Sequence, residues 1–389
     1  MDVHKVTPID AGVAARLEEF VLLRRDLHRH PELAFNEKRT SALVAERLAA
    51  CGYEVSEGFG GTGVVGVLRK GNGSKRLALR ADMDALPIGE KTGVDYSSQN
   101  AGVMHACGHD GHTAILLSAA KAVSERDFSG TLILIFQPAE EIGAGARRLI
   151  SEGLFDRFPV DAIFGLHNWP GEPLGQFGFV SGPAMAAIDR PIVRIVGHGG
   201  HGASPHETVD PVVAACNIVL ALQTIISRNI DSREAAVISV GSIHGGEASN
   251  VIPDSVELRL TVRSFDPSVR DQLEERITEL VRFQARSYGA SAEIDYMRGF
   301  PALINHPVET SLAQDVALSV FGKENVVSNL KPRMASEDFA HYLQARPGCF
   351  LFVGNGESAP LHSARYDFND AVIGPAATLW VNLAQKFLA

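Results

Sequence analysis

Apolar side chains recur at three- and four-residue intervals over residues 13–30 and 38–50, the periodicity of two amphipathic helices, with Pro31 as a stop between them. The short apolar runs 64–68 and 77–79 flank Lys70-Gly71-Asn72-Gly73-Ser74, whose glycines and asparagine tolerate positive φ, so the pattern predicts a hairpin there. Further on the period switches back and forth. Residues 112–123 read as a helix, 131–136 (TLILIF) as a buried strand, 144–150 as a helix and 161–166 (DAIFGL) as a second buried strand. Such alternation predicts an α/β sheet covered on both faces.

Near residue 187 the pattern changes. Residues 192–196, 236–242 and 256–262 are strand-like, while 211–227 and 268–288 are helical, giving a β-α-β-β-α-β order over about 110 residues that matches the ferredoxin-like plan. From about Met297 the earlier character resumes and runs to a helix over 371–388. The expected architecture is therefore a mixed central sheet flanked by helices (1–186 and 297–389), interrupted by an inserted ferredoxin-like α+β domain (187–296). No internal repeat or low-complexity tract interrupts this order.

Composition narrows the function classes. A chain of 389 residues that is 45% hydrophobic and 21% charged folds as a globular protein of two or three domains, which excludes disordered and fibrous classes. Lys and Arg total 36 against 46 Asp and Glu, a net of −10 with no dense basic run, which argues against nucleic acid or an anionic membrane surface as partner. The stretch MDVHKVTPID has no apolar signal core. The longest apolar stretch, 211–226, is interrupted by Asn217 and Gln223, so no membrane span is expected. Cys51, Cys107, Cys216 and Cys349 lie far apart, which reads as reduced thiols in a cytoplasmic protein rather than a disulfide framework.

Ligands of open α/β sheets sit beyond the carboxyl ends of the strands, and here those ends carry the chemistry. One run leads to Asp82-Met83-Asp84, another to Glu140-Glu141, a third to His167-Asn168-Trp169, and the late run 350–353 leads to His362. Met104-His105-Ala106-Cys107-Gly108-His109-Asp110-Gly111-His112 adds a thiol and imidazoles two residues apart, suited to an extended segment rather than a helix face. That donor set favours a transition metal such as Zn, Mn, Fe or Ni over Ca or Mg. Adjacent carboxylates at Glu140 and Glu141 allow one to bind metal while the other serves as general base, the division that hydrolysis of an amide needs.

Taken in order, LHRHPELAFNE, LRADMDALPI, MHACGHDGHTA, IFQPAEEIGAGA, GLHNWP, GHGGHGASP, GGEASNVIPD, ASEDF and PLHS resemble the dinuclear-metal amidohydrolases of the aminoacylase and glutamate-carboxypeptidase family. The branch that fits best contains hippurate hydrolase, N-acyl-L-amino-acid amidohydrolase and the indoleacetyl-amino-acid hydrolases. The resemblance implies two divalent ions per subunit (Mn, Zn or Ni), with Cys107, His109, Glu141, His167 and His362 as ligands, Cys107 bridging, and Glu140 as general base. It implies that Asp84 orients a ligand histidine, whereas Asp82 receives no role. It further implies that the inserted domain is a lid and dimer contact, giving a homodimer or tetramer. In that domain His201 would stabilise the oxyanion in the partner subunit's site, and Asn250 with Arg263 would hold the substrate carboxylate. The implied reaction is hydrolysis of an N-acyl amino acid. A dipeptidase or carboxypeptidase on the same scaffold is the nearer alternative, and a non-catalytic metal-dependent binder the more distant one.

Other polar residues have plainer readings. His28, His30 and Glu32 read as structural, Ser336-Glu337-Asp338 as a helix N-cap with first-turn acids, and Asp110 as a partner that orients Cys107 or His109. His105, His112, His198, His206 and His244 have no assigned role. No phosphate loop and no Gly-x-Ser-x-Gly elbow is present, which argues against nucleotide chemistry and a serine hydrolase.

Overall fold

A computed structural model describes residues 8–389, so most of the N-terminal stretch read as lacking a signal core lies outside the described residues. The chain divides into two compact units. The first comprises the residues up to Gly182 with Ile304–Lys331 and Asp338–Ala389; the second comprises Pro183–Leu303 with Pro332–Glu337.

The first unit is built on an eight-stranded sheet in the order Glu54–Phe59, Gly63–Lys70, Gly130–Gln137, Arg76–Asp82, Ala162–Pro170, Gly348–Gly356, Phe177–Gly178, Val326–Val327. Its four central strands, Gly130–Gln137, Arg76–Asp82, Ala162–Pro170 and Gly348–Gly356, run parallel. Antiparallel neighbours flank them on both sides. The parallel strands are buried nearly throughout, because helices cover both faces. The helix His109–Ser124 is apolar around most of its circumference and buried along most of its length, as a helix inside a core must be. It packs with Leu17–Arg29 and Ile373–Phe387 around Leu79, Leu134, Phe164 and Trp380.

The expected hairpin does not form. Gly63–Lys70 and Arg76–Asp82 are separated in the sheet by Gly130–Gln137, antiparallel to the first and parallel to the second. Arg76–Asp82 is buried on both faces and needs a neighbour on each edge, which a hairpin alone cannot supply. The loop between the two strands instead packs on Ser129, whose hydroxyl accepts the Gly73 N–H at 2.8 Å.

In the second unit Ile192–Val196, Ala236–His244, Ser255–Ser264 and Ser291–Asp295 form an antiparallel sheet, with the third strand paired to the first and second and the fourth on the outside of the first. This is the β-α-β-β-α-β arrangement anticipated from the periodicity. The helices Pro211–Arg228 and Pro267–Ser287 each start behind an aspartate, Asp210 and Asp266, whose carboxylate accepts the first free N–H groups. Pro211–Arg228 is long and apolar enough to cross a membrane, yet Ala214, Ile218, Leu222 and Ile225 pack it onto Val193, Ile195 and Leu258 of the sheet. The strand Ala187–Asp189 pairs with Ser255–Ser264, so this unit begins a few residues earlier than the change of pattern near residue 187.

Candidate metal centre

Because the central strands are parallel, their carboxyl ends open on one edge of the sheet, and that edge gathers the predicted side chains of the first unit. Asp82 ends one strand and Asp84 follows it; Glu140 and Glu141 follow Gln137; His167 lies within Ala162–Pro170. Cys107 and His109 arrive on the turn into helix His109–Ser124. That turn needs glycine: Gly108 has φ 93°, and a Cβ there would lie 2.3 Å from Asn168 Nδ2 and 2.6 Å from the Tyr366 hydroxyl. His362, also in the left-handed region at φ 63°, is tied down by its N–H donating to the Ala106 carbonyl at 2.8 Å.

The imidazoles are oriented by what their far nitrogens donate to. His167 Nδ1 donates to the Asn168 carbonyl at 2.6 Å, leaving Nε2 to face Cys107 Sγ at 3.3 Å. His109 Nδ1 donates to the Asp84 carbonyl at 2.9 Å, and its buried Nε2 has no hydrogen-bond partner among the described residues. Glu141 Oε1 is likewise buried without one, while Oε2 lies 3.4 Å from His362 Nε2. Ligand atoms of Cys107, His109 and His167 fall within 4.8 Å of one another, as do those of Cys107, Glu141 and His362, so Cys107 belongs to both groups. A third group joins His109, Glu140 and Glu141.

Burial, and then the nearby Glu141, Glu140 and Asp82, push the Cys107 thiol well above its usual pKa. Burial also leads in lifting Glu141 to about 7. Burial alone would lower His109, but Asp82, Asp84 and Glu141 carry it up to about 10. A thiol, carboxylates and imidazoles gathered at a mostly buried site, with His362 at its exposed edge and lone pairs of His109 and Glu141 left over, constitute a site short of positive charge. The residues therefore fit divalent metal ions, which would relieve those lone pairs and ionise the thiol.

The Asp84 carboxylate sits 3.4 Å from His109 Nδ1, but its closer partners are the backbone N–H groups of Glu140 and Glu141 at 3.0 and 3.1 Å. Asp84 thus orients the acidic pair and, through its own carbonyl, His109. Asp82, left without a role by sequence, bonds His112 Nδ1 at 2.6 Å and Arg80 at 2.6 Å. His112 Nε2 accepts the Asn168 N–H at 3.1 Å, so its lone pair is already used; no spacing argument distinguished it from a ligand.

Two readings are corrected. Asp110 does not orient Cys107 or His109; its carboxylate bonds His28 Nδ1 at 2.8 Å and lies 3.5 Å from Arg24. Asp338 is no first-turn acid: the next helix is Ala340–Ala345, and the buried Asp338 carboxylate accepts from Arg80, from Gln137 at 2.8 Å and from the Ala146 N–H at 2.9 Å. Glu32 accepts the Arg39 and Thr40 N–H groups at the start of Lys38–Ala50, and His30 bonds the Asp26 carbonyl, consistent with structural roles.

His201, Asn250 and Arg263 lie in the second unit. Gly200–His201 pairs with Val251–Ile252, and the Gly202 N–H donates to the Asn250 carbonyl at 2.8 Å, which brings the exposed His201 and Asn250 onto one small ladder. Arg263 donates to the Met334 carbonyl at 2.5 Å and to Ser336 Oγ at 3.2 Å.

Comparison with known proteins agrees with this geometry. Residues 78–386 match the model of peptidase family M20/M25/M40. Hippurate hydrolase of Campylobacter jejuni is 42% identical over 370 residues, covering 95% of this chain and 97% of that protein. N-acetyl-L-cysteine deacetylase of Bacillus subtilis is 40% identical, covering 95% and 88% respectively. The crystal structure of a dinuclear metal-binding M20 peptidase from Bacillus subtilis superposes with a TM-score of 0.85 at 33% identity, covering 96% of this chain and 99% of that one. With a catalytic fold, a buried cluster of metal-type donors and near full-length similarity, the chain belongs to peptidase family M20/M25/M40 and is a hydrolase of its amidohydrolase members.

Proposed function

We propose that the protein cleaves the amide bond of N-acyl-L-amino acids, hippurate-like, N-acetyl or indoleacetyl, releasing a carboxylate and a free amino acid. The observation that carries this reading is the division of labour at Glu140-Glu141. Glu141 shares a ligand group with Cys107 and His362, whereas Glu140 joins groups made only of carboxylates and His109, and we assign it the proton. Cys107, His109, Glu141, His167 and His362 would hold two divalent ions, with Cys107 shared. When bound, such ions lower the pKa of water and polarise an amide carbonyl.

Within that setting the chain's own groups handle the proton. Glu140 accepts a proton from the attacking water as its oxygen bonds to the amide carbon, then delivers it to the leaving nitrogen as the C–N bond breaks. Asp84 fixes Glu140 and Glu141 through their backbone N–H groups, which limits the motion of the base. For the second unit we assign to His201 the stabilisation of the oxyanion in a partner subunit, and to Asn250 and Arg263 the substrate carboxylate; the family resemblance supports these roles. The same reading makes that unit a lid and dimer contact of a cytoplasmic enzyme.

Metal analysis of the purified protein followed by a substrate panel tests the proposal. About two divalent ions per chain are expected, with hippurate and N-acetyl amino acids turned over at least about tenfold better than dipeptides by kcat/KM, a difference of ~1.4 kcal/mol. Faster cleavage of dipeptides would overturn the substrate class. Metal-loaded protein inert across the panel would instead support a binder.

A further inference from the structure

Among the described residues, the non-glycine residues with φ in the left-handed region are Phe35, Ala139 and His362, at 62°, 56° and 63°. Such backbone is strained for a residue with a Cβ and persists only where surroundings impose it. One of the three precedes Glu140 directly. Its N–H donates to Oε1 of Glu37 at 3.0 Å, and the Phe35 N–H donates to the same oxygen at 3.0 Å. The other carboxylate oxygen accepts the Thr62 hydroxyl at 2.5 Å. Glu37 is fully buried, and it comes from the start of helix Lys38–Ala50, remote in sequence from every residue assigned to the metal centre.

The Asp84 carboxylate takes the next two N–H groups, of Glu140 and Glu141. Three consecutive amides, 139 to 141, are thus each held by a buried carboxylate. The Ala139 carbonyl accepts from the Ala144 and Gly145 N–H groups, which closes the turn from behind. Two carboxyl groups are buried here with their oxygens given to main-chain amides, and burying such groups is costly unless those bonds are made.

We infer that Glu37 is a positioning residue for hydrolysis: by gripping the left-handed Ala139 and, through the same oxygen, the left-handed Phe35, it sets the direction in which Glu140 leaves the strand end. The inference rests on the reading of Glu140 as general base. Asp84 fixes the height of the acidic pair, and Glu37 fixes the twist before it. Glu37 is in none of the ligand groups, and the Glu141 N–H stays with Asp84 when Glu37 is lost, so its loss acts on the base more than on the ligand set.

The test is a double-mutant cycle on the metal-loaded full chain. Glu37→Ala should lower kcat about 10–100-fold with KM changed less than about threefold, as a misplaced catalytic group does, and metal content should be unchanged. Glu37→Gln keeps a carbonyl oxygen for both amides and can donate to Thr62, so it should restore most of the rate. In a Glu140→Gln background, Glu37→Ala should change the residual rate less than about threefold, because no base remains to misplace. A merely structural role would give equal losses in both backgrounds, with metal loss alongside, and would overturn the inference. Full activity of Glu37→Ala beside an inactive Glu140→Gln would overturn it while leaving the base reading intact. An active Glu140→Gln would overturn the base reading itself, and the inference with it. Should Glu37→Ala not fold, failure of Glu37→Gln to retain at least a third of the wild-type kcat overturns the inference, and retention supports it.

Discussion

Two buried clusters meet at the start of helix His109–Ser124 and use the same kinds of residue to opposite ends. Around Asp110, His28 Nδ1 bonds the carboxylate at 2.8 Å and its Nε2 faces Glu90 at 3.4 Å, while Arg24 pairs with Asp370 at 2.6 Å. One residue earlier in the chain, His109 Nε2 and Glu141 Oε1 are equally buried and have no hydrogen-bond partner. The first cluster is closed to a cation: its carboxylates and imidazole take up one another's hydrogen-bonding groups, and what is left unspent is donor N–H of Arg24. The second is open, and its lone pairs converge. Residue type and burial are shared, so neither marks a site; unspent coordination capacity does.

The largest expected contrast comes from metal removal. Chelation should abolish activity and lower the melting temperature, with both restored by a divalent transition metal, whereas a chelator should leave the thermal transition of a protein whose metal is only superficial unmoved. Glu140→Gln comes next, with kcat down about a thousandfold, metal content retained and the melting temperature nearly unchanged. Substantial residual turnover would remove Glu140 from its role. In the closed cluster the pattern should invert. His28→Leu breaks a buried pair and should cost about 3–5 kcal/mol of stability in denaturant titration, while the folded fraction keeps its metal; parallel loss of metal would merge the two clusters into one functional unit.

The smallest effect is a pH dependence confined to the closed cluster. Burial would lower the His28 pKa, but Asp110 and then Glu90 raise it from 6.5 to about 9. Since the folded value lies above the unfolded one, this stabilisation is fully present below about pH 6.5 and is lost as pH rises through about 9. The stability gap between wild type and His28→Leu should therefore narrow between pH 6 and pH 10. A constant gap would mean that His28 carries no charge in the fold.

How much of this the sequence disclosed follows from range. Glu140, Glu141, His167 and His362 were legible as candidates because parallel strands present their carboxyl ends on one edge; Cys107 and His109, on a turn into a helix, were picked out by the spacing of their donor types, and the roles of all six came from the family resemblance. The periodicity of the inserted region was sufficient to specify its β-α-β-β-α-β order. Strand neighbours were not legible: Gly130–Gln137 enters between two strands close in sequence, and nothing local distinguishes a hairpin from such an insertion. The partners of Asp110, Asp338 and Glu37 were hidden for the same reason. Asp338 stands near a helix start, where the local reading is a cap, and is claimed instead by Arg80; Asp110 and Glu37 are likewise claimed by residues far along the chain, His28 and Ala139.

The strand Gly348–Gly356 lies inside the sheet, between Ala162–Pro170 and Phe177–Gly178, although the whole second unit separates it from them in sequence. Its place between them can be filled only by a segment about 170 residues later in the chain. His362 follows it. A nascent or truncated chain ending before residue 348 therefore possesses the proposed base and most of the donors but lacks both a strand of the floor beneath them and one donor. The order of elements therefore completes the donor set only when nearly the whole chain is present.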